Sequence, residues 1–142
     1  MNAVLFAVFL LAGGAAASEK LIIVSGPNRH VFQVEVADKP AERARGLMFR
    51  ASLAPDAGML FDFGDTEPVH MWMKNTYIPL DMLFIRADGS IARVAENTEP
   101  FSLAAVSSGE PVRFVLEVAG GTASRLGIKR GDAVRHPLIP AE

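Results

Sequence analysis

Residues 111–119, PVRFVLEVA, place an apolar side chain at every second position from Val112 to Val118. Neighbouring side chains in a β-strand point to opposite faces, so this pattern predicts a strand that packs one face on the core. Glu117 falls on the other face. We expect its carboxylate either to face solvent or to pair with an Arg of residues 43–50.

Six further segments have strand-like composition and are separated by Gly, Pro, Asp and Asn. Asp88-Gly89 is the strongest hairpin signal among these separators. The six segments are HVFQVEVA at 30–37, GMLFDF at 58–63, VHMWM at 69–73, DMLFIR at 81–86, IARVAEN at 91–97, and residues 132–138.

Two short helices are predicted between the strands. In DKPAERARG, Asp38 can cap a helix, Pro40 suits its first turn and Gly46 can end it. GGTASRLG, residues 120–127, predicts a single helical turn. Crossover helices of ten or more residues, which a parallel α/β sheet needs, are not visible. The sequence therefore predicts a mainly β fold: a single antiparallel β-sandwich or barrel of about seven or more short strands with one or two short helices.

The first 17 residues have the pattern of a signal peptide. An apolar run from Ala3 to Ala12 precedes Gly13-Gly14 and the small residues Ala15 to Ala17, which suit a signal-peptidase cut. The run is too short for a membrane span, which needs about 20 apolar residues. We expect residues 1–17 to be removed, residues 18–142 to form one β-rich domain, and the mature protein to be periplasmic or secreted. The absence of Cys favours a bacterial periplasm.

The formal net charge of −2 and the scattered Lys and Arg residues leave no basic footprint for nucleic acid. No integral membrane span is expected in the mature chain. The remaining partners are an unknown small molecule or an envelope protein. No sequence motif indicates a cofactor, so none is expected.

Residues 69–84, VHMWMKNTYIPLDMLF, contain the only Trp and the only Tyr of the chain. Strand alternation puts Met71 and Met73 on one face and His70 on the other. Thioether and imidazole groups bind Cu(I), so a metal-handling module that uses Met71 and Met73, with His70 as a further candidate, is one interpretation. The alternative is that both Met side chains are ordinary core residues.

Polar groups between these strands indicate a different kind of site. Lys74 leaves the strand beside Trp72, and Asn75 can stabilise the turn that follows. Asp81 starts the next strand and could pair with Lys74 across the mouth of the connection. This mixture of aromatic, cationic and amide groups predicts a ligand-binding groove.

Six motifs extend this interpretation to most of the chain. They are ERARGLMFR, GMLFDF, MWMKNTYIPLDMLFI, DGSI, FVLEVAGG and LGIKRGDAV, in this order from Glu42 to Val134. Together they resemble the family called domain of unknown function 192, whose members often carry an export signal. The resemblance implies a mostly β, sandwich-like domain and no known reaction. Polar residues of the family motifs fall at Arg43, Arg50, Lys74, Asn75, Thr76, Asp81 and Glu117.

Three functions follow as hypotheses. The favoured one is non-enzymatic binding of a small ligand or an envelope partner in a polar and aromatic groove. The second is the copper module, and the third is an envelope-associated enzyme of unidentified reaction, for which no catalytic residue can be named. The residues expected to bind the ligand are Arg43, Arg50, Trp72, Lys74, Asn75, Asp81 and Glu117.

Overall fold

The computed structural model describes residues 17–140 of the 142-residue chain. The predicted signal peptide, apart from Ala17, lies outside the described residues. Within the described part, no helix has the length and apolar character needed to cross a membrane.

Residues 17–140 form seven strands and two short helices. The strands are β1 Glu19–Ser25, β2 Asn28–Ala37, β3 Ala57–Met71, β4 Leu80–Ile85, β5 Ile91–Thr98, β6 Val106–Ala119 and β7 Ala133–Arg135. Helix α1 is Pro40–Arg45 and helix α2 is Thr122–Leu126.

All seven strands belong to one sheet, in the order β5-β4-β6-β3-β2-β1-β7, which curls into a half-barrel. The mainly β class and the two short helices are confirmed. One pairing differs from the antiparallel expectation, because β2 and β3 run parallel. The connection between them contains α1. Six helical residues within a longer loop are enough for this crossover, although no long helix marks it in the sequence.

Several element boundaries differ from the predicted ones. Residues 64–68, expected as a turn, lie inside the continuous strand β3, which accommodates them by a register shift between Asp62 and Glu67. Strand β1 was not predicted. Lys39, rather than Asp38, is the N-cap of α1, and its backbone N–H donates to the Glu42 carboxylate at 3.2 Å.

Each face of the sheet packs on its own apolar cluster. In β4, where all six residues are buried, Leu83 and Ile85 join the first cluster while Met82 and Phe84 join the second. In β6, Phe114, Leu116 and Val118 also belong to the first cluster. Side chains on both faces of these central strands are therefore buried among apolar groups. A charged side chain on either face would lose its hydration.

The prediction that Val112 shares a face with Phe114, Leu116 and Val118 is wrong. Val112 packs in the second cluster. The cause is the irregularity in the neighbouring strand. Asp62 pairs with Phe114 whereas Glu67 pairs with Val112, so the register shifts between these two pairs. The alternation resumes at Phe114 and sets the orientation of Glu117.

Gly58 marks the closest approach of β3 to β6. A Cβ at this position would lie 2.6 Å from the carbonyl oxygen of Glu117. We expect Gly58→Ala to lower the free energy of unfolding by about 1–3 kcal/mol, because two paired strands would have to separate. Urea unfolding checks this value.

Gly64→Ala is the matched control. A Cβ there meets no atom within 4 Å, but the backbone has φ +82. Its expected cost is about 1 kcal/mol, from the left-handed backbone alone. Equal unfolding curves for Gly58→Ala and the wild type would contradict the close approach.

Candidate ligand-binding groove

Glu117 lies in the middle of the sheet. In β6 it pairs with Met59 of β3 on one side and with Met82 of β4 on the other. Both Met residues belong to the second apolar cluster, and Glu117 itself is 4% exposed. A carboxyl group is thus surrounded by apolar side chains, where its ionised form loses most of its hydration.

Burial raises the pKa of Glu117 to about 8. Within residues 17–140, no Lys, Arg or His lies within 4.0 Å of its oxygens to form an ion pair, and no group donates a hydrogen bond to them. The expectation that this residue faces solvent or pairs with an Arg is therefore wrong. Desolvation without a compensating cation keeps the carboxyl group neutral at pH 7.

A narrow pocket of about 30 Å³ contains Glu117 in its lining. Gly46, after the end of α1, lies directly beside it: a Cβ at Gly46 would be 3.8 Å from Glu117 Oε1 and 3.1 Å from the Phe61 ring. The tight contact with the Phe61 ring and the backbone φ of +49 both favour glycine at this position. The other lining residues are Arg43, Ala44, Arg45, Leu47, Met48, Met71, Trp72, Lys74 and Thr76.

A second, shallower pocket of about 160 Å³ adjoins the first, because Met71 and Trp72 line both. His70, Leu103 and Ala105 complete it. We call the two pockets together the groove. One end of the groove holds a buried acid, and the other is mainly apolar.

Three cationic side chains line the narrow pocket. Arg43 is held in place, since its Nη1 donates to the carbonyl oxygens of Asp38 at 2.6 Å and Asp62 at 3.1 Å. Lys74 is exposed, and its Nζ lies 5.1 Å from the centroid of the Trp72 ring. Arg45 is also exposed. The entrance therefore combines a large aromatic face with positive charge.

The turn after Trp72 is rigidly connected to neighbouring segments. Asn75 adopts φ 52, a left-handed conformation that Asn tolerates better than most residues. Its carbonyl oxygen accepts the backbone N–H of Phe49 at 2.9 Å, and Thr76 Oγ1 donates to the Lys74 carbonyl at 3.0 Å. Asn75 thus shapes the turn, while Thr76 lines the narrow pocket.

Asp81 lies away from the groove and is fully buried. Its carboxylate accepts the backbone N–H groups of Asn97 at 2.9 Å, Gly121 at 3.1 Å and Ala123 at 2.8 Å. These bonds replace the predicted pairing with Lys74. They connect the end of β5 and the start of α2 to the beginning of β4.

Arg50 is also committed elsewhere. Its guanidinium donates to both carboxylate oxygens of Glu35, at 2.7 and 3.0 Å. Of the predicted ligand-binding residues, the groove thus contains Arg43, Trp72, Lys74 and Glu117, and it does not contain Arg50, Asn75 or Asp81. The sequence interpretation missed Gly46, Met48 and Leu103, which come from other loops and carry no polar signal.

The candidate copper ligands are separated as strand alternation predicts. Met73 is buried, Met71 is half-buried, and His70 is exposed. The thioether of Met73 accepts the Thr98 hydroxyl at 3.1 Å, so it already has a polar neighbour. Across residues 17–140, His, Cys, Asp and Glu form no group of three that could hold a metal ion. Copper binding stays a prediction that rests on Met71 and Met73 alone.

Another cavity, of about 590 Å³, lies near the two ends of the described chain. His136 is buried beside it, and its Nδ1 accepts the Leu138 N–H at 3.1 Å. Its Nε2 lies 2.6 Å from Glu19 without the alignment of a hydrogen bond. This cavity holds none of the predicted site residues.

The curled seven-stranded sheet places the protein among small, mainly β half-barrel domains. The chain belongs to the DUF192 family: the family model described as "Uncharacterized ACR" matches residues 22–136. Among curated proteins, none matches the chain.

Two crystal structures show the same fold. A protein of Sinorhizobium meliloti 1021, described as a candidate transcription regulator, is 50% identical, with 86% of this chain and 95% of that chain covered and a TM-score of 0.83. A protein of unknown function from Novosphingobium aromaticivorans DSM 12444 is 39% identical, with 84% and 85% covered and a TM-score of 0.82.

The raised pKa of Glu117 predicts that stability falls as pH rises. Its pKa is 4.5 as a free side chain and about 8 in the fold, so between these values the folded state holds a proton that the unfolded state has lost. The stabilisation is complete below pH 4.5 and is lost by about 8, with a slope approaching 1.4 kcal/mol per pH unit.

Glu117→Gln removes this titration. We expect the variant to match the wild type near pH 4.5 and to exceed its free energy of unfolding by several kcal/mol at pH 8. Denaturant unfolding at a series of pH values checks this difference. Glu96→Gln, at an exposed position, is the control. Parallel pH profiles for wild type and Glu117→Gln would contradict an unpaired, buried acid.

Asp81→Ala tests the structural role of the other buried acid. Three backbone N–H groups, of which that of Ala123 is buried, would lose their acceptor, so we expect a loss of about 2 kcal/mol or more in the free energy of unfolding. Thermal unfolding measures it, with Asp65→Ala at an exposed position as the control. A loss below about 0.5 kcal/mol, typical of surface sites, would show that Asp81 is dispensable.

Proposed function

We propose that this protein is an exported, non-enzymatic binding domain that holds a small ligand, or an extended group of an envelope partner, in the groove. The observation that carries the proposal is the Glu117 carboxyl group, which lines the narrow pocket and has no ion-pair or hydrogen-bond partner among residues 17–140. Its oxygens are not fully enclosed by protein atoms, so a group that enters the pocket can reach them. A ligand group that bonds to Glu117 would provide the missing hydrogen-bond partner.

The protonation state of Glu117 determines which chemical groups of a ligand it can bind. A neutral carboxyl group both donates and accepts hydrogen bonds, so it suits a hydroxyl, amide or carboxylate end group. The narrow pocket has the volume of about one water molecule, which limits the buried part of the ligand to one or two heavy atoms.

The residues at the entrance of the groove indicate the chemical character of the rest of the ligand. Trp72 and Leu103, which are 48% and 67% exposed, provide apolar area for a hydrocarbon or aromatic body. Lys74 and Arg45 favour negative charge on it. We therefore assign the ligand to the class of small organic anions with an apolar body and a hydrogen-bonding end.

The proposed location is the periplasm or the extracellular space. Support comes from the apolar and small residues of positions 1–17 and from the absence of Cys. The S. meliloti protein is described as a candidate transcription regulator, but the net charge of −2 and the scattered Lys and Arg residues of this chain do not favour nucleic-acid binding.

Trp72 allows a direct test, because it is the only Trp of the chain and lies in the groove. Benzoate and cyclohexanecarboxylate serve as probes, and Trp72 fluorescence reports their binding. Loss of the hydrogen-bonding carboxyl group in Glu117→Leu should weaken binding about tenfold, the equivalent of about 1.4 kcal/mol. For wild type, affinity should also fall above pH 8, where Glu117 ionises and repels an anion.

Glu96→Gln is the matched control, since it changes an exposed carboxylate outside the groove. Affinities that are equal in wild type and Glu117→Leu, and constant across pH 8, would refute the assignment of Glu117 to a binding site.

One observation favours a second candidate, an enzyme that uses Glu117 as a general acid or base. Catalytic acids have a pKa near the working pH, and a pKa of about 8 meets that condition. Glu117→Gln separates the two functions. The amide keeps both hydrogen-bonding capacities, so binding should survive, whereas any turnover of a bound substrate should be lost.

A further inference from the structure

Three aromatic side chains form an exposed cluster next to the groove. Phe49, Tyr77 and Phe101 are 53%, 46% and 59% exposed. The Phe49 and Tyr77 ring centroids are 6.1 Å apart, and those of Tyr77 and Phe101 are 5.4 Å apart. We call these three residues the aromatic cluster. Contact among the rings makes it one continuous apolar surface rather than scattered exposed residues.

The backbone of the aromatic cluster is strained. Phe49 has φ 66 and Phe101 has φ 65, a region that bulky side chains rarely occupy. Hydrogen bonds hold both in place: the Phe49 N–H donates to the Asn75 carbonyl at 2.9 Å, and the Phe101 N–H donates to the Thr76 carbonyl at 3.1 Å. Neither ring gains burial in return. Strain that displays an apolar ring to solvent points to a function for that ring.

The surroundings of the aromatic cluster are apolar and cationic. Leu103 is 67% exposed and Trp72 48%. The Arg45 guanidinium lies 5.9 Å from the Phe49 ring centroid, and Lys74 lies 5.1 Å from that of Trp72. Rings with adjacent cations match the composition of surfaces that insert into the headgroup region of an anionic bilayer.

The geometry argues against a sugar as the occupant. The Phe49 and Tyr77 rings meet at 75°, and the Tyr77 and Phe101 rings at 39°, so they present no flat platform for stacking. Phe also has no hydrogen-bonding group for hydroxyls. None of the three rings lines the groove. The three rings project from the surface instead of lining a concave site. The acyl chains of a bilayer could surround such exposed rings.

We propose that the aromatic cluster, with Arg45 and Lys74, docks this protein on the surface of a bilayer rich in anionic lipid. The aromatic rings enter the interface between headgroups and acyl chains, and the two cations contact lipid phosphates. The docking is peripheral and needs no membrane-spanning helix. It rests on the exposed rings and not on the groove ligand, so either proposal can fail without the other.

Vesicles of phosphatidylglycerol and of phosphatidylcholine, each with brominated acyl chains, provide the probe for the full chain. Trp72 is the only Trp, so quenching of its fluorescence reports insertion at this surface and not at residues 1–17. We expect phosphatidylglycerol vesicles to quench Trp72 fluorescence, and phosphatidylcholine vesicles to quench it much less. Absence of quenching with both, or equal quenching, overturns the proposal.

Phe49→Gly with Phe101→Gly separates docking from folding. Glycine accepts the left-handed backbone at both positions, so the variant should unfold no more easily than wild type. Its affinity for anionic vesicles should fall about thirtyfold, through loss of two partly buried rings. Val31→Ser is the control, since Val31 is 48% exposed on β2, outside the aromatic cluster. Unchanged affinity of the double variant refutes docking through the rings.

Arg45→Gln and Lys74→Gln test the charge. Each should lower the affinity for phosphatidylglycerol about fivefold, and added salt should reduce the difference. Lys129→Gln, at an exposed position after α2, is the control. A loss of self-association in the Phe49 and Phe101 variant, without any vesicle binding by wild type, would instead identify the surface as a contact between copies.

Discussion

The carboxylate of Asp81 is the interaction on which the position of the groove depends. By accepting three backbone N–H groups, it joins the start of β4 to the end of β5 and to α2. The Gly120 N–H donates to the Pro79 carbonyl at 2.9 Å and strengthens the same junction. The segment from Lys74 to Pro79 is therefore anchored at its C-terminal end. This anchor adds to the hydrogen bonds of Asn75 and Thr76, which hold the same segment near Trp72 and Lys74.

The two buried acids of the central strands have opposite physical roles. Asp81 is surrounded by donors, and its burial is compensated by hydrogen bonds. Glu117 is surrounded by apolar side chains, and its burial is compensated only by protonation. An amide at position 117 would remove the pH penalty. The native acid therefore lowers stability at neutral and alkaline pH, which is the pattern expected where function, rather than folding, determines the residue.

The sequence predicted those features of the fold that local alternation encodes. Strands β2, β4, β5 and β6 and the hairpin at Asp88-Gly89 follow from apolar periodicity and turn chemistry. The parallel pairing of β2 and β3 is a relation between distant segments, and residues 64–68 have turn composition although they continue β3. Periodicity along one strand contains no information on either feature.

The candidate site was predictable to a similar extent. Trp72 and Lys74 belong to one segment, whereas Arg43 and Glu117 join them only after folding, and the groove contains all four. Arg50 and Asp81 carry the same kinds of groups, but their partners remove them from the site. Glu35 binds the first, and the backbone of Asn97, Gly121 and Ala123 binds the second. Such partners lie far away in sequence, so a motif cannot distinguish a structural polar residue from a binding one.

The groove and the aromatic cluster share a single structural element. Trp72 and Lys74 line the groove, while Asn75 and Thr76 of the same turn hold the Phe49 and Phe101 backbones. A ligand that fixes this turn also fixes the segments that carry the rings. If binding at one site changes the conformation of this turn, affinity at the other site changes too, and the coupling is equal in both directions. A ligand with an apolar body that comes from the bilayer would meet both sites on one surface.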